Sequence, residues 1–182
     1  MDEPSDLELV QRVRNGHRQA FTELMRRHQQ RIYWVARWLV GNHYDADTLA
    51  QETFVKAYLS LGDFRNDANF RLWLYRIVVT LSLNAIRKHQ LAAYIRDSEI
   101  LRRLLPEQDG HDMKLESSED ESRFQRGIAE LPEKQKVVFV MRFFEGLSYD
   151  DISQILKTSV ANLKPNFVDA MRKVQEFMKH EA

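Results

Sequence analysis

Between residues 68 and 96 the sequence carries no acid, yet it carries Arg71, Arg76, Arg87, Lys88 and Arg96. Cations left without counter-charges suit phosphate contact, since Lys and Arg neutralise a nucleic-acid backbone. A chance clustering on a solvated face is the plain alternative. Other chemistry is poorly represented. The six glycines, at 16, 41, 62, 110, 127 and 146, are too dispersed for a dinucleotide fingerprint or a P-loop. No G-x-S-x-G elbow seats an activated serine. The six histidines are scattered and form no H-E-x-x-H pair, and His28 lies on an apolar stripe where a satisfied core histidine is expected. Asp45 and Asp47 are paired acids at a predicted helix start, where acids cap and offset the dipole more often than they catalyse. The expectation is a protein that is not an enzyme, with no metal, no cofactor and no small-molecule substrate.

The elements that must position these residues are helical. Ser5-Asp6-Leu7-Glu8 fits a capping box. Phe21, Leu24, Met25, His28, Ile32, Val35, Ala36 and Leu39 recur at helical spacing, with Gly41 as a stop. Ala46, Leu49, Thr53, Phe54, Ala57, Tyr58 and Leu61 form a second stripe, ended near Gly62. Phe70, Trp73, Leu74, Ile77, Leu81 and Ala85 form a third. Toward the C-terminus, Leu131-Pro132 starts a helix with Pro at its first position, and Val137, Val138, Met141 and Phe144 face inward until Gly146. Ser148 caps a short helix through Ile152, Ile155 and Leu156. The turn Lys157-Thr158-Ser159 leads into Leu163, Phe167, Ala170, Val174 and Phe177. A short helix, a tight turn and a second helix describe a helix-turn-helix, although periodicity alone also fits any small helical bundle. No segment alternates with period two.

Charge and composition divide the chain. The formal net charge of zero averages +3 over residues 1–89, −5 over 90–122 and +2 over 123–182. The acidic stretch contains Pro106-Glu107-Gln108-Asp109-Gly110 and Leu115-Glu116-Ser117-Ser118-Glu119-Asp120-Glu121-Ser122, which offer little to bury. The fold class expected is all-α: two small helical domains, residues 1–90 and 122–182, joined by a flexible acidic linker over 91–121. Two such domains are expected to move independently or dock loosely. There is no cysteine, which fits a reducing compartment. The acidic start, Met-Asp-Glu-Pro-Ser-Asp, lacks the basic n-region of a signal peptide, and no apolar run approaches the ~20 residues of a membrane span.

Particular stretches resemble a known family. Asp45-Ala46-Asp47-Thr48-Leu49-Ala50-Gln51-Glu52-Thr53-Phe54-Val55-Lys56-Ala57-Tyr58 resembles region 2.2 of bacterial sigma factors. Phe64-Arg65-Asn66-Asp67-Ala68-Asn69-Phe70-Arg71-Leu72-Trp73-Leu74-Tyr75-Arg76-Ile77 is similar to regions 2.3 and 2.4. Leu131-Pro132 followed by Gly146-Leu147-Ser148-Tyr149-Asp150-Asp151-Ile152-Ser153 resembles region 4. Order, spacing and length are those of the extracytoplasmic-function sigma factors, which keep only regions 2 and 4. The resemblance implies an alternative sigma factor that binds core RNA polymerase and directs it to promoter DNA. Region 2 would engage the polymerase clamp and melt and read the −10 element; region 4 would read the −35 element. An anti-sigma protein is the further partner implied. The location implied is cytoplasmic, with that anti-sigma protein as the element that would hold the factor at the membrane.

Carried onto this chain, the resemblance assigns core binding to Asp45, Asp47, Gln51, Glu52 and Lys56. Gln51, Glu52 and Lys56 lie on one side of a helix, roughly opposite Leu49 and Thr53; a solvated face is the plain alternative. It assigns the −10 element to Phe64, Asn66, Asn69, Arg71, Trp73, Arg76, Thr80, Asn84, Arg87 and Lys88. An aromatic ring can stack on an unstacked base and an amide can bond its edge, while the cations hold phosphates. Trp73 also fits a core position. The −35 set is Asn162, Lys164, Asn166, Arg172 and Lys173. Thr48 stands where the family pattern has Asp, Thr80 where many members have Asn, and Asp169 and Met171 where Arg is common, so fewer −35 phosphate contacts are expected. Pro165 predicts a recognition helix that starts late, near 162–163, or bends near 161–165. Two rivals stay open on the residues: a helix-turn-helix regulator acting on duplex DNA without polymerase, and an all-helical interaction protein whose region 4 no longer binds DNA.

Overall fold

The computed structural model describes residues 3–65, 68–97 and 119–180. These form eight helices and one short 3-10 turn: α1 (Asp6–Arg14), α2 (Gln19–Val40), α3 (His43–Leu59), the turn Leu61–Asp63, α4 (Phe70–Asp97), α5 (Glu119–Ala129), α6 (Glu133–Phe143), α7 (Tyr149–Leu156) and α8 (Val160–His180). Among the described residues no strand occurs, and no helix is long and apolar enough to cross a membrane.

Local chemistry sets most boundaries. The Ser5–Glu8 capping box forms in full, with Ser5 N–H donating to Glu8 Oε2 at 2.7 Å. α2 ends where Gly41 takes a left-handed φ of 86°. Asn42 caps α3, accepting from Asp45 N–H at 2.8 Å. Ser148 caps α7, accepting from Asp151 N–H at 3.1 Å. Pro132 sits one position earlier than the sequence suggests, as the N-cap of α6. His28 is a buried core histidine: Nε2 lies 2.7 Å from Asp6 Oδ2, and the ring meets the edge of Phe70.

The helix ends around the acidic segment differ from expectation. α4 runs to Asp97, seven residues past the predicted domain end at 90, and α5 already begins at Glu119. Glu119, Asp120 and Glu121 fill the first turn of α5, where negative charge is favoured by the helix dipole. Residues 98–118 of the predicted linker lie outside the described residues.

Residues 6–97 make one helical bundle. α2 is its spine, packed on α1, α3 and α4, with Leu24, Ile32, Val35 and Ala36 fully buried. The second unit packs α6 and α7 against α8, with α5 across α8, around Ile128, Phe139, Met141, Ile152 and Leu163. The buried Lys136 ties α5 to α6, donating from Nζ to the Ala129 carbonyl at 2.8 Å; burial lowers its pKa.

The two units do not stand apart. α2 contacts α5 and α6, and α4 contacts α7. Trp38 of α2 stacks on Phe144 with centroids 4.1 Å apart, and Phe124 of α5 meets the Trp38 ring edge-on. Arg87 of α4 makes a forked ion pair with Glu133 of α6, at 2.7 Å through Nη2. The Tyr75 hydroxyl donates to the Glu145 carboxylate. Burial of that phenol, with the adjacent anion, raises its pKa. In this arrangement aromatic rings on both units cover each other.

Pro165 does not delay α8. The helix begins at Val160 and contains the proline. Leu163, Ala170 and Val174 are buried, so the apolar stripe needs helical phase before Pro165. The first turn is tight, with Asn162 N–H bonded to the Ser159 carbonyl at 3.0 Å. Pro165 and Ala161 are exposed, so water can take the carbonyl that a proline leaves without an amide partner. Pro165→Ala is expected to stabilise the chain by about 1–3 kcal/mol. Urea unfolding with an unchanged m-value measures it; no gain would mean that the helix already relaxes around the ring.

Candidate nucleic-acid and partner interfaces

Two faces of the first bundle carry most of the predicted site residues. On α3, Leu49 and Thr53 are buried while Gln51, Glu52 and Lys56 are exposed, as the helical spacing requires. The same face shows two apolar side chains that the polar reading passed over: Val55 is 61% exposed and Leu59 78%. With Thr48, and with Leu81 of α4 at the edge, they line a shallow depression of about 570 Å³. Positions 51, 52, 55, 56 and 59 share one side of the helix, so the signal was an apolar pair inside a polar face. Asp47 is exposed and accepts from Gln51 Nε2 at 2.9 Å. Asp45 belongs elsewhere. It takes part in the α3 cap, bonded by Asn42 Nδ2 at 2.8 Å, and lies 3.5 Å from His89 of α4.

The turn before α4 shows what surrounds two of the predicted residues. Phe64 is only 3% exposed. Its ring packs against Phe70 at 5.5 Å and Trp73 at 5.1 Å, so it is core and not an open stacking surface. Asn69 is exposed, but its side-chain oxygen accepts from Arg71 N–H at 3.0 Å and Leu72 N–H at 3.3 Å. It caps α4, and that oxygen is engaged. Asn66 lies outside the described residues. Trp73 is partly buried on the same aromatic cluster. A residue the sequence did not mark holds this corner. Arg14 of α1 donates to the carbonyls of Leu61, at 2.9 Å, Gly62 and Phe64.

Beyond the turn, α4 presents Arg76, Thr80, Asn84, Arg87 and Lys88, all exposed, at spacings of three and four that keep Arg76, Thr80, Asn84, Arg87 and Lys88 on one stripe. Arg71 is half-buried. The Thr80 hydroxyl donates back to the Arg76 carbonyl at 2.7 Å, which leaves its lone pairs outward. Arg87 is committed to Glu133, whose carboxyl it holds below the usual carboxylate range.

In the second unit, α7 and α8 are joined by Lys157 in a left-handed conformation, φ 51°, which gives the helix-turn-helix its bend. Asn162, Lys164 and Arg172 are exposed, and Asn166 and Lys173 are half-buried. Asn166 Nδ2 donates to the Asn162 carbonyl at 2.6 Å. Lys164 lies over the Tyr149 ring, 5.9 Å from its centroid. Arg172 pairs with Asp169 and Glu176, each at 3.6 Å. Lys173 donates to Gln135 at 2.9 Å. The five residues share α8, and each of the three cations already contacts another side chain.

Residues 24–92 match the Sigma-70 region 2 family and residues 122–174 match Sigma-70, region 4. The chain is 30% identical over 178 residues to the ECF RNA polymerase sigma-E factor of Haemophilus influenzae, covering 94% of each. It belongs to the extracytoplasmic-function sigma factors. It is also 28% identical to the RNA polymerase sigma-H factor of Pseudomonas aeruginosa, over 98% of this chain and 96% of that one. The fold is shared with CnrH, solved in complex with the cytosolic domain of CnrY: TM-score 0.69, 24% identity, covering 97% of this chain and 99% of that chain. The sigma factor RpoE from Bartonella quintana, solved with the anti-sigma factor NepR, also has a TM-score of 0.69, at 22% identity over 87% of this chain and 96% of that one. This chain is accordingly an alternative sigma factor, a transcription initiation factor that works with core RNA polymerase at promoter DNA. α1 to α4 contain region 2 and α5 to α8 contain region 4.

Proposed function

We propose that the factor divides its work between two faces of region 2: the α3 face grips core polymerase, and the α4 stripe reads and holds the opened −10 strand. The carrying observation is that Gln51, Glu52, Val55, Lys56 and Leu59 share one exposed side of α3 while Arg76, Thr80, Asn84 and Lys88 share an exposed, acid-free stripe of α4. A mixed polar and apolar patch suits a protein partner. A row of cations, amide and hydroxyl suits a strand. Because Phe64 is buried and Asn69 is a cap, base recognition rests on α4 and on Asn66 rather than on Phe64. Region 4 contributes a modest −35 contact through Asn162, Lys164 and Asn166, supported by the shortage of uncommitted cations on α8. The factor itself is not an enzyme; polymerase performs the chemistry. It works in the cytoplasm, and the complexed neighbours support an anti-sigma protein as its inhibitor.

Reconstitution with core polymerase on a promoter library tests this. Promoter-specific transcripts are expected, and binding to duplex DNA without core would instead favour a stand-alone regulator. Gln51→Ala with Glu52→Ala is expected to weaken core binding while stability stays within ~0.5 kcal/mol, because both side chains are exposed. A larger stability loss would make them structural.

A further inference from the structure

α1 reaches the corner between α3 and α4 along two separate routes. The first is Arg14, half-buried in the last turn of α1. Its guanidinium donates to three carbonyls of the turn after α3: Leu61, at 3.2 Å from Nε and 2.9 Å from Nη2, Gly62 at 3.3 Å, and Phe64. Converging carbonyl dipoles repel one another, and a cation set among them removes that repulsion. The second route is Asp6, in the first turn of α1. Its Oδ2 lies 2.7 Å from Nε2 of His28 on α2. The His28 ring meets the edge of Phe70, the first residue of α4, with centroids 5.6 Å apart. Phe70 in turn packs on Phe64 and Trp73. Both routes end on the same aromatic corner, where the chain leaves α3 and enters the helix that carries Arg76, Thr80 and Asn84. α1 is itself anchored on α2: Leu9 and Val10 are buried, and Arg27 donates to the Pro4 carbonyl at 2.7 Å. The Sigma-70 region 2 match begins at residue 24, so all of α1 lies ahead of it.

We propose that α1 is a brace for promoter opening, with Arg14 and Asp6 as positioning residues. They fix the turn at 61–64 and the start of α4, so that an opened strand meets a preformed surface. Neither side chain touches the strand. Arg14 acts through the turn's backbone, and Asp6 acts through His28 and Phe70. A turn that must be ordered during binding costs affinity, whereas a turn already held does not. Holding the turn and α4 in one geometry also keeps Arg76, Thr80 and Asn84 at a fixed place relative to the chain that leads into them. The brace rests on the reading of α4 as the helix that holds the opened strand, and it gives a role to a helix that reading does not use.

Holoenzyme assembled from core polymerase and the full chain tests this on a promoter duplex taken from the library. The duplex carries 2-aminopurine in its −10 element, whose fluorescence rises as the strands part, and opening is scored per factor bound to core. Arg14→Met removes the charge and every donor, and is expected to lower opening about tenfold. Arg14→Lys returns a cation with several donors, and is expected to recover opening to within about threefold of the parent. Core affinity is expected to stay within about threefold in both, because Gln51, Glu52 and Val55 lie about two to three turns back along α3. Asp6→Asn weakens the second route at constant shape and is expected to lower opening about threefold. Val35→Ala, in the buried face of α2 about two turns from His28, controls for stability. It is expected to lower the unfolding midpoint and leave opening per bound factor unchanged. Parental opening in folded Arg14→Met overturns the proposal. Where circular dichroism shows that Arg14→Met has lost its fold, parental opening in Asp6→Asn overturns it. A loss in Val35→Ala as large as that in Arg14→Met also overturns it, since lowered stability alone would then explain both. Arg76→Ala, run beside them, tells which reading has failed: if it loses opening while Arg14→Met does not, the brace falls and the α4 reading stands.

Discussion

Val55→Glu combined with Leu59→Glu is expected to lower affinity for core polymerase by about 10²-fold, close to 2.7 kcal/mol, with thermal stability unchanged. Both side chains stand mostly in solvent in the free factor, at 61% and 78% exposure, so folding has little area there to lose and surface changes fall within ~0.5 kcal/mol. Binding energy follows the opposite logic. Interfaces concentrate it in a few apolar or aromatic anchors ringed by polar contacts. Val55 and Leu59 are the apolar pair inside the ring of Gln51, Glu52 and Lys56. Introducing two carboxylates there removes the buried area and places charge in a desolvated centre. The effect should therefore exceed that of removing Gln51 and Glu52. Core titration with labelled factor measures it, and unfolding in denaturant controls for the fold. An affinity within threefold of the parent, roughly 0.6 kcal/mol, would show that polymerase grips another face.

Phe64→Ala is expected to cost about 3–5 kcal/mol of stability. A stacking residue waiting for a base would cost almost nothing when truncated. Phe64 instead fills a cluster with Phe70 and Trp73, and its carbonyl is one of three held by Arg14. Truncation leaves a cavity beneath the turn that leads to α4. Phe64→Leu keeps most of the volume and should lose under about 1.5 kcal/mol. Urea unfolding of the three chains gives the comparison. A small loss in Phe64→Ala alongside a large loss of promoter melting would restore Phe64 as a base-stacking residue.

The α3 face was legible from sequence because burial on a helix repeats with its period. Leu49 and Thr53 had to point inward, so Gln51, Glu52 and Lys56 had to point out. The acid-free stretch 68–96 and the Ser148 and Ser5 caps were legible for equally local reasons. Asp45 illustrates the limit: the same carboxylate suits a partner contact or a cap, and only the tertiary structure shows it bonded to Asn42 and 3.5 Å from His89. Phe64 shows the limit again, since an aromatic in a polar loop reads as exposed until Phe70 and Trp73 are seen to cover it.

What the sequence by itself determined is every described helix but α5, their inward faces, and the family to which the motifs belong. Those depend on spacing within ten or so residues. Only the tertiary structure decided that Trp38 meets Phe144, that Arg87 meets Glu133 and that α4 and α8 face a common cleft. These partners lie on separate units, tens of residues apart. No periodicity links them, because what joins them is the matching of two surfaces, aromatic to aromatic and cation to anion, once each unit has formed.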